Sequence, residues 1–287
     1  MKVLSTFFLS FLLLSVQASI TGSDDRHEVR DAPFEVQEIS HSIAALVRKK
    51  NLTWHTDGTV ELNGLSYQKD LNFCEDARFT QHQKLIANCS ASLIEEDLIL
   101  TAGHCVEEGS ELNLKEFVAV FDYKVTKSNQ NKFIVSASSV FELISAPLFD
   151  FNFPGDHDIA TIRLDRPVKS REPLRINYKR VQKGEEIYML GFPFGLAMKY
   201  TDNGYVIKEH GNFGDAKDSF TSDLDSFSVN SGSAVFNQNN QIIGVLVRGT
   251  GRNYERDEQR ECNDWGGLVS PRDYFSEINY IDLIKRD

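Results

Sequence analysis

The chain has 287 residues, enough for one large or two small domains with a sizeable core. Its composition, 41% hydrophobic and 25% charged, is that of a globular protein and excludes a disordered or fibrous chain. A net charge of -11, with lysine and arginine scattered rather than run together, disfavours a nucleic-acid partner.

Met1-Lys2 is a short positive start, Val3 to Val16 is almost entirely apolar, and Val16-Gln17-Ala18 is a small-x-small cleavage pattern. This predicts a secretory signal peptide over residues 1–18, too short to serve as a bilayer anchor. The mature protein is then secreted or periplasmic, with no membrane anchor and a new terminus at Ser19. Residues 19–40 read as an N-terminal extension with a charged, surface-lying stretch from Asp24 to Asp31. His41 to Val47 is a first core strand. Asn51 to Asp70 is polar, and Asp57-Gly58 and Asn63-Gly64 mark turns in an elaborated hairpin or loop.

Leu98-Ile99-Leu100-Thr101-Ala102-Gly103-His104-Cys105 is an apolar strand that runs into small residues, one histidine and one cysteine. Small residues after a strand let the backbone turn tightly, so the next side chain is presented at the strand end. Phe117–Phe121, Lys132–Ser139 and Ile159–Leu164 have strand length and pattern. Pro167 to Pro173 reads as a linker between halves. Strands continue at Glu186–Phe192, Tyr205–Lys208, Ser233–Phe236 and Gln241–Val247, with Asn203-Gly204 and Asn237–Asn240 as hairpin turns. Tyr274, Ile278, Ile281 and Ile284 have the spacing of a terminal helix. Many short strands and few helical periods predict an all-β protein of barrels or sandwiches. Four cysteines in an exported chain favour disulfides, with three possible pairings.

Three segments in order, Cys89-Ser90-Ala91-Ser92-Leu93-Ile94 with Leu98 to Cys105, Asp158-Ile159-Ala160-Thr161-Ile162-Arg163-Leu164, and Asn230-Ser231-Gly232-Ser233-Ala234-Val235-Phe236-Asn237, resemble the chymotrypsin-like (trypsin-fold) serine endopeptidases. The Asn-Ser-Gly-Ser form and Asp25-Arg26-His27-Glu28-Val29 resemble the bacterial glutamyl-endopeptidase-like (V8-like) branch. The resemblance covers roughly residues 24 to 275, least well over Arg48 to Asn72. It implies two packed six-stranded antiparallel barrels with a C-terminal helix. The first barrel would span 41–170 and carry His104 and Asp158; the second would span 171–287 and carry Ser231. It also pairs Cys89 with Cys105, which the strand-and-turn reading brings together; Cys74–Cys262 then follows by exclusion only.

Serine is a poor nucleophile at its own pKa, so acyl transfer needs a base, a carboxylate to orient that base, and donors for the oxyanion. The resemblance gives these roles to Ser231, to His104 as base and then acid, and to Asp158. Among the competitors, Asp156 sits in the Pro154-Gly155 turn, whereas Asp158 directly precedes the apolar run; Ser228 and Ser233 lack the glycine that follows Ser231. The oxyanion donors would be the backbone N–H groups of Val229 and Ser231. Val229 departs from the glycine usual in the family, and a β-branched residue resists φ > 0. Asn230 stands where the animal digestive branch has an aspartate that pairs with a freed N-terminal amine. Spacing suggests Asp225 as a pocket acid attracting Arg or Lys, with a surface loop acid as its alternative, and Gly249 as a backbone partner for substrate. No CxxC, HExxH or phosphate-binding glycine loop is present, so no metal or cofactor is expected. The expectation is a monomeric serine endopeptidase acting on polypeptides, or else a catalytically weak homologue that binds through its cleft or through the Arg48–Asn72 insertion. The His, Asp, Ser order and the missing G-x-S-x-G elbow argue against an esterase of unrelated fold.

Overall fold

The computed structural model describes residues 20–106, 111–152, 157–212, 217–249, 252–266, 268–269 and 275–285. The signal peptide over 1–18, the Pro154-Gly155 turn and Asp156 lie outside them.

Six strands close into a first antiparallel barrel. Going round it, Phe117–Phe121 pairs with Val140–Phe151, then Asp158–Leu164, Leu98–Thr101, Cys89–Glu95 and Ile43–Arg48, which returns to Phe117–Phe121. Alternation along the strands splits their side chains between two cores. Ala44, Leu46, Ala91, Leu93, Ile99, Ala119, Phe121, Phe141 and Ile162 fill the barrel. Ile43, Ala45, Val47, Leu100, Val118, Val120 and Ile159 pack instead with Tyr188, Leu190, Phe236, Val245 and Val247 of the second half. Strands such as Ile43–Val47 are therefore buried on both faces, which is why they read as continuous apolar runs.

The second barrel closes in the same way through Glu186–Gly191, Ala234–Asn237, Ile242–Gly249, Ser276–Tyr280, Ser219–Ser222 and Lys199–Lys208, which returns to Glu186–Gly191. Its interior is Ile187, Met189, Val206, Phe220, Val235, Ile243, Ile278 and Tyr280. A seventh strand, Arg26–Glu28, adds to the outside of Lys199–Lys208. The N-terminal extension thus lies on the second barrel, not on the first that follows it in the chain.

Two sequence expectations need correction. The C-terminal helix is reduced to a 3-10 turn at Ile281–Lys285, and Ser276–Tyr280, expected to be helical, is a strand. The barrel cannot close without a rung between Ile242–Gly249 and Ser219–Ser222, and that tertiary demand overrides the helical spacing. Asn203-Gly204 is not a hairpin turn; it lies inside the Lys199–Lys208 strand, where Asn203 takes φ 55° beside a register shift.

The Arg48–Asn72 stretch forms a hairpin, Leu52–Trp54 with Thr59–Leu62, which Phe133–Ser136 extends to three strands. A short helix follows at Tyr67–Leu71. Its Ser66 cap accepts from Lys69 N, while Asp70 accepts from Ser66 N, so both ends of the first turn are satisfied. Cys74–Cys262 and Cys89–Cys105 are disulfides, with Cα–Cα distances of 5.0 and 6.2 Å.

Candidate active site

His104 stands on the 3-10 turn Gly103–Val106, which caps the end of the Leu98–Thr101 strand. Asp158 opens the next strand of the barrel and is 1% exposed. One of its oxygens accepts the His104 backbone N–H at 2.8 Å, and the other lies 2.8 Å from His104 Nδ1. The Asp158 N–H in turn donates to Asn279 Oδ1 at 2.7 Å. Asn279 thus holds the Asp158 backbone, while the two carboxylate oxygens fix both the backbone and the ring of the histidine. With Nδ1 facing a carboxylate, Nε2 is the nitrogen left to take a proton.

Ser231 comes from the second barrel. Its carbonyl accepts Ser90 N at 2.8 Å, joining it to the Cys89–Glu95 strand of the first. The glycine after it is obligatory: Gly232 has φ 84°, and a Cβ there would lie 2.1 Å from Ser90 O and 2.3 Å from Thr101 Oγ1. His104 and Ser231 line the same cleft, of about 710 Å³, together with Cys105, Ser228 and Val229.

Immediately before Ser231 the chain makes a turn in which Asn230 N donates to Phe227 O at 3.1 Å. Val229, its third residue, takes φ 74°, a position usually held by glycine or asparagine. The Ser228 carbonyl accepts Phe194 N at 2.7 Å, and the side chain of Asn253 holds Ser228 through its N–H and its hydroxyl. These contacts fix the plane of the Ser228–Val229 peptide, with the Val229 N–H opposite the engaged carbonyl. Neither the Val229 N–H nor the Ser231 N–H has a hydrogen-bond partner among the described residues.

A second pocket of about 210 Å³ shares Ser228 and Ser231 with the cleft; Ser226, Phe227, Leu246, Val247, Arg248 and Gly249 complete it. Gly249, expected as a backbone partner for substrate, lines this pocket. Asp225 does not line it and is 2% exposed. Its two oxygens accept the backbone N–H groups of Thr21 at 2.7 Å and Asp25 at 2.9 Å. Burial pushes its pKa up to about 7, against the lowering effect of those two bonds. An acid engaged in this way by the N-terminal segment is a structural anchor, and the correction has a plain cause: spacing from the serine predicts a position, not what the rest of the chain brings to it.

That segment is built in deeply. Arg26 has no exposed surface; it pairs with both oxygens of Asp24 and lies over the rings of Phe227 at 4.0 Å and Trp265 at 4.4 Å. Lys199, also buried, contacts Gln83 Oε1, Ala197 O and Glu28. Sequence reasoning missed Asn279, Phe194, Asn253 and the anchoring role of 20–28. Asn279, Phe194 and Asn253 contribute through a backbone group or a single amide, which carries no motif, and a charged N-terminal run gives no sign of burial. One group of metal-ligand types, Cys89, His104 and Cys105, is clustered among the described residues, but both sulfurs are committed to a disulfide.

The trypsin-like peptidase domain model matches residues 89–245, which contain His104, Asp158 and Ser231. Among solved structures, the chain is similar to a Glu endopeptidase in complex with MPD, at 17% identity and TM-score 0.51, covering 93% of this chain and 96% of that one. It is also similar to kallikrein-related peptidase 10, at 14% identity and TM-score 0.44, covering 69% and 86%. No curated protein matches it. The first likeness spans both barrels, the family model spans more than half of the chain, and the chain belongs to the trypsin-like peptidase domain family.

Proposed function

We propose that the chain is an exported serine endopeptidase of the glutamyl-endopeptidase-like kind, hydrolysing peptide bonds through an acyl-enzyme. The observation that carries this is the double grip of buried Asp158 on His104, at the wall of a cleft that Ser231 shares. His104 Nε2 takes the proton of Ser231 Oγ as the oxygen attacks the scissile carbonyl. Asp158 holds the ring in the required tautomer and stabilises the imidazolium that forms. The Val229 and Ser231 N–H groups receive the oxyanion; such donors act in a preorganised site and each contributes on the order of 10² to 10³ in turnover. His104 then returns the proton to the leaving amine, and water repeats the sequence on the acyl-enzyme. The two disulfides support an oxidising, extracytoplasmic location. Gly249, on the pocket rim at the end of a strand, suits main-chain pairing with an extended polypeptide.

The test is intact-mass labelling of the mature protein with a fluorophosphonate, with Ser231→Ala as control. One adduct per chain, absent from the variant, is the expected result. No adduct refutes the active-enzyme reading and leaves a homologue that binds through its cleft.

A further inference from the structure

The proposed triad is divided between two barrels, so its geometry depends on how the barrels are held together beside it. His157, immediately before Asp158, lies at that junction. Its Nδ1 is 2.8 Å from Asp150 Oδ2, on the Val140–Phe151 strand of the first barrel. Its Nε2 is 2.9 Å from Asp218 Oδ2, which leads into the Ser219–Ser222 strand of the second. Asp218 is itself fixed: its other oxygen accepts from Arg180 at 3.1 Å, its carbonyl accepts Tyr280 N, and Arg180 continues to Asp282 at 3.0 Å. The His157 carbonyl accepts Asn152 N at 2.9 Å. One residue further on, the Asp158 N–H reaches Asn279 of the second barrel.

We propose that His157 is a positioning residue, an inter-barrel clamp that sets Asp158 and His104 against Ser231. This rests on the triad reading above. Nε2 makes the hydrogen bond that crosses to Asp218 of the second barrel, and Nδ1 lies within ion-pair distance of Asp150 of the first. The charged groups around it are Asp150 from the first barrel, Asp218 from the second with Arg180 and Asp282 behind it, and Asp158 next in the chain.

Two measurements test the clamp on the full mature chain. The first does not need activity: a double-mutant cycle on urea unfolding with His157→Gln, Asp218→Asn and the pair. Contact across the barrels predicts a coupling of about tenfold in the unfolding constant; no coupling overturns the clamp whether or not the protein labels. The second is the rate of fluorophosphonate labelling. His157→Gln should slow it by about tenfold or more, since small misplacements of reacting groups are costly. His157→Arg, which offers several donors and a fixed charge, should stay within about threefold of wild type. Equal slowing by Gln and Arg, or none by either, overturns the positioning role. Failure of wild type to label at all counts against the triad, and the cycle still decides the clamp.

Discussion

Asp225 makes a quantitative prediction about stability and pH. Its carboxyl is buried, and its pKa rises from 3.8 to about 7 because desolvation of the charge outweighs the two N–H bonds from Thr21 and Asp25. A group whose folded pKa is raised holds its proton more tightly in the native state. The stabilising contribution is therefore complete below about pH 3.8 and is lost as pH climbs through about 7. Within that window the native state binds one more proton than the unfolded chain, and stability falls by about 1.4 kcal/mol per pH unit. Across the whole interval the loss is about 4 kcal/mol, a large share of the stability of a typical domain. Lys199 works in the opposite sense at higher pH. Burial lowers it to about 8 although Glu28 opposes the shift, so its linkage adds stability as pH rises from about 8 towards 10.5. The two effects occupy separate ranges, and the Asp225 slope is read between about pH 4.5 and 7. The assay is urea unfolding across that range, with the disulfides intact, for wild type and Asp225→Asn. The slope of the difference between the two should carry the linkage. A ¹³C titration of the Asp225 carboxyl in the native protein checks it directly. A midpoint near the ordinary aspartate value, or parallel curves for the two proteins, would refute the reasoning.

Val229 at φ 74° holds a conformation that costs a β-branched residue about 1–3 kcal/mol; Val229→Gly should therefore leave stability within about 1 kcal/mol of wild type or above it, with labelling at least as fast, and a tenfold slower rate would contradict this. Arg26→Met removes the guanidinium that, with Arg78, more than offsets burial and holds Asp24 below the usual carboxylate range. Urea unfolding should show a loss of about 3 kcal/mol, and the Asp24 carboxyl should move upward by NMR. The Cys89→Ala, Cys105→Ala double variant opens a loop of 16 residues and should lose about 3 kcal/mol of stability by calorimetry, with slower labelling because the cysteine beside His104 no longer anchors it.

The barrel strands were legible where side-chain alternation and local context agree. Phe117–Phe121 is observed with the expected bounds, and His41–Val47, Ile159–Leu164 and Gln241–Val247 fall on observed strands shifted by a residue or two at their ends. The three residues proposed as a triad could be singled out in the sequence because each stands in a short distinctive segment, such as the one in which Gly232 must fit between Ser90 and Thr101. The pairing of Cys74 with Cys262 was legible only by exclusion. Val140–Phe151 was missed: its outer half is exposed and broken by Pro147, so neither a period of two nor a continuous apolar run marks it. Ser276–Tyr280 was misread: Ile278 and Tyr280 face the barrel interior, while Glu277 and Asn279, equally buried, bond to Ser219 and to the Asp158 backbone. Glu277-Ile278-Asn279-Tyr280 does alternate polar and apolar as a strand would, but so short a stretch was outweighed by the helical spacing of Ile278, Ile281 and Ile284.

The N-terminal segment is the sharpest case of this limit. Asp24, Asp25, Arg26 and Glu28 form a charged run that any composition argument sends to the surface. Yet Arg26 and Lys199 are fully buried, each matched to a carboxylate, and Arg26 covers Phe227 at the wall of the pocket beside Ser231. Breaking one member of such a pair leaves the other charge buried and alone, which costs several kcal/mol. The pairs therefore constrain where the segment can lie more than they stabilise the fold. Ile20–Thr21 pairs with Leu268–Val269 and Arg26–Glu28 with Lys199–Thr201, and among the described residues the Asp225 carboxylate bonds to this segment alone, at Thr21 and Asp25. The loop Asp225–Val229 is thus shaped from below by a segment some 200 residues away in sequence. Perturbing residues 20–28 should reach the pocket and the Val229 turn through Asp225 and Phe227, and the Asp225 titration described above is the most direct reading of whether that anchorage exists.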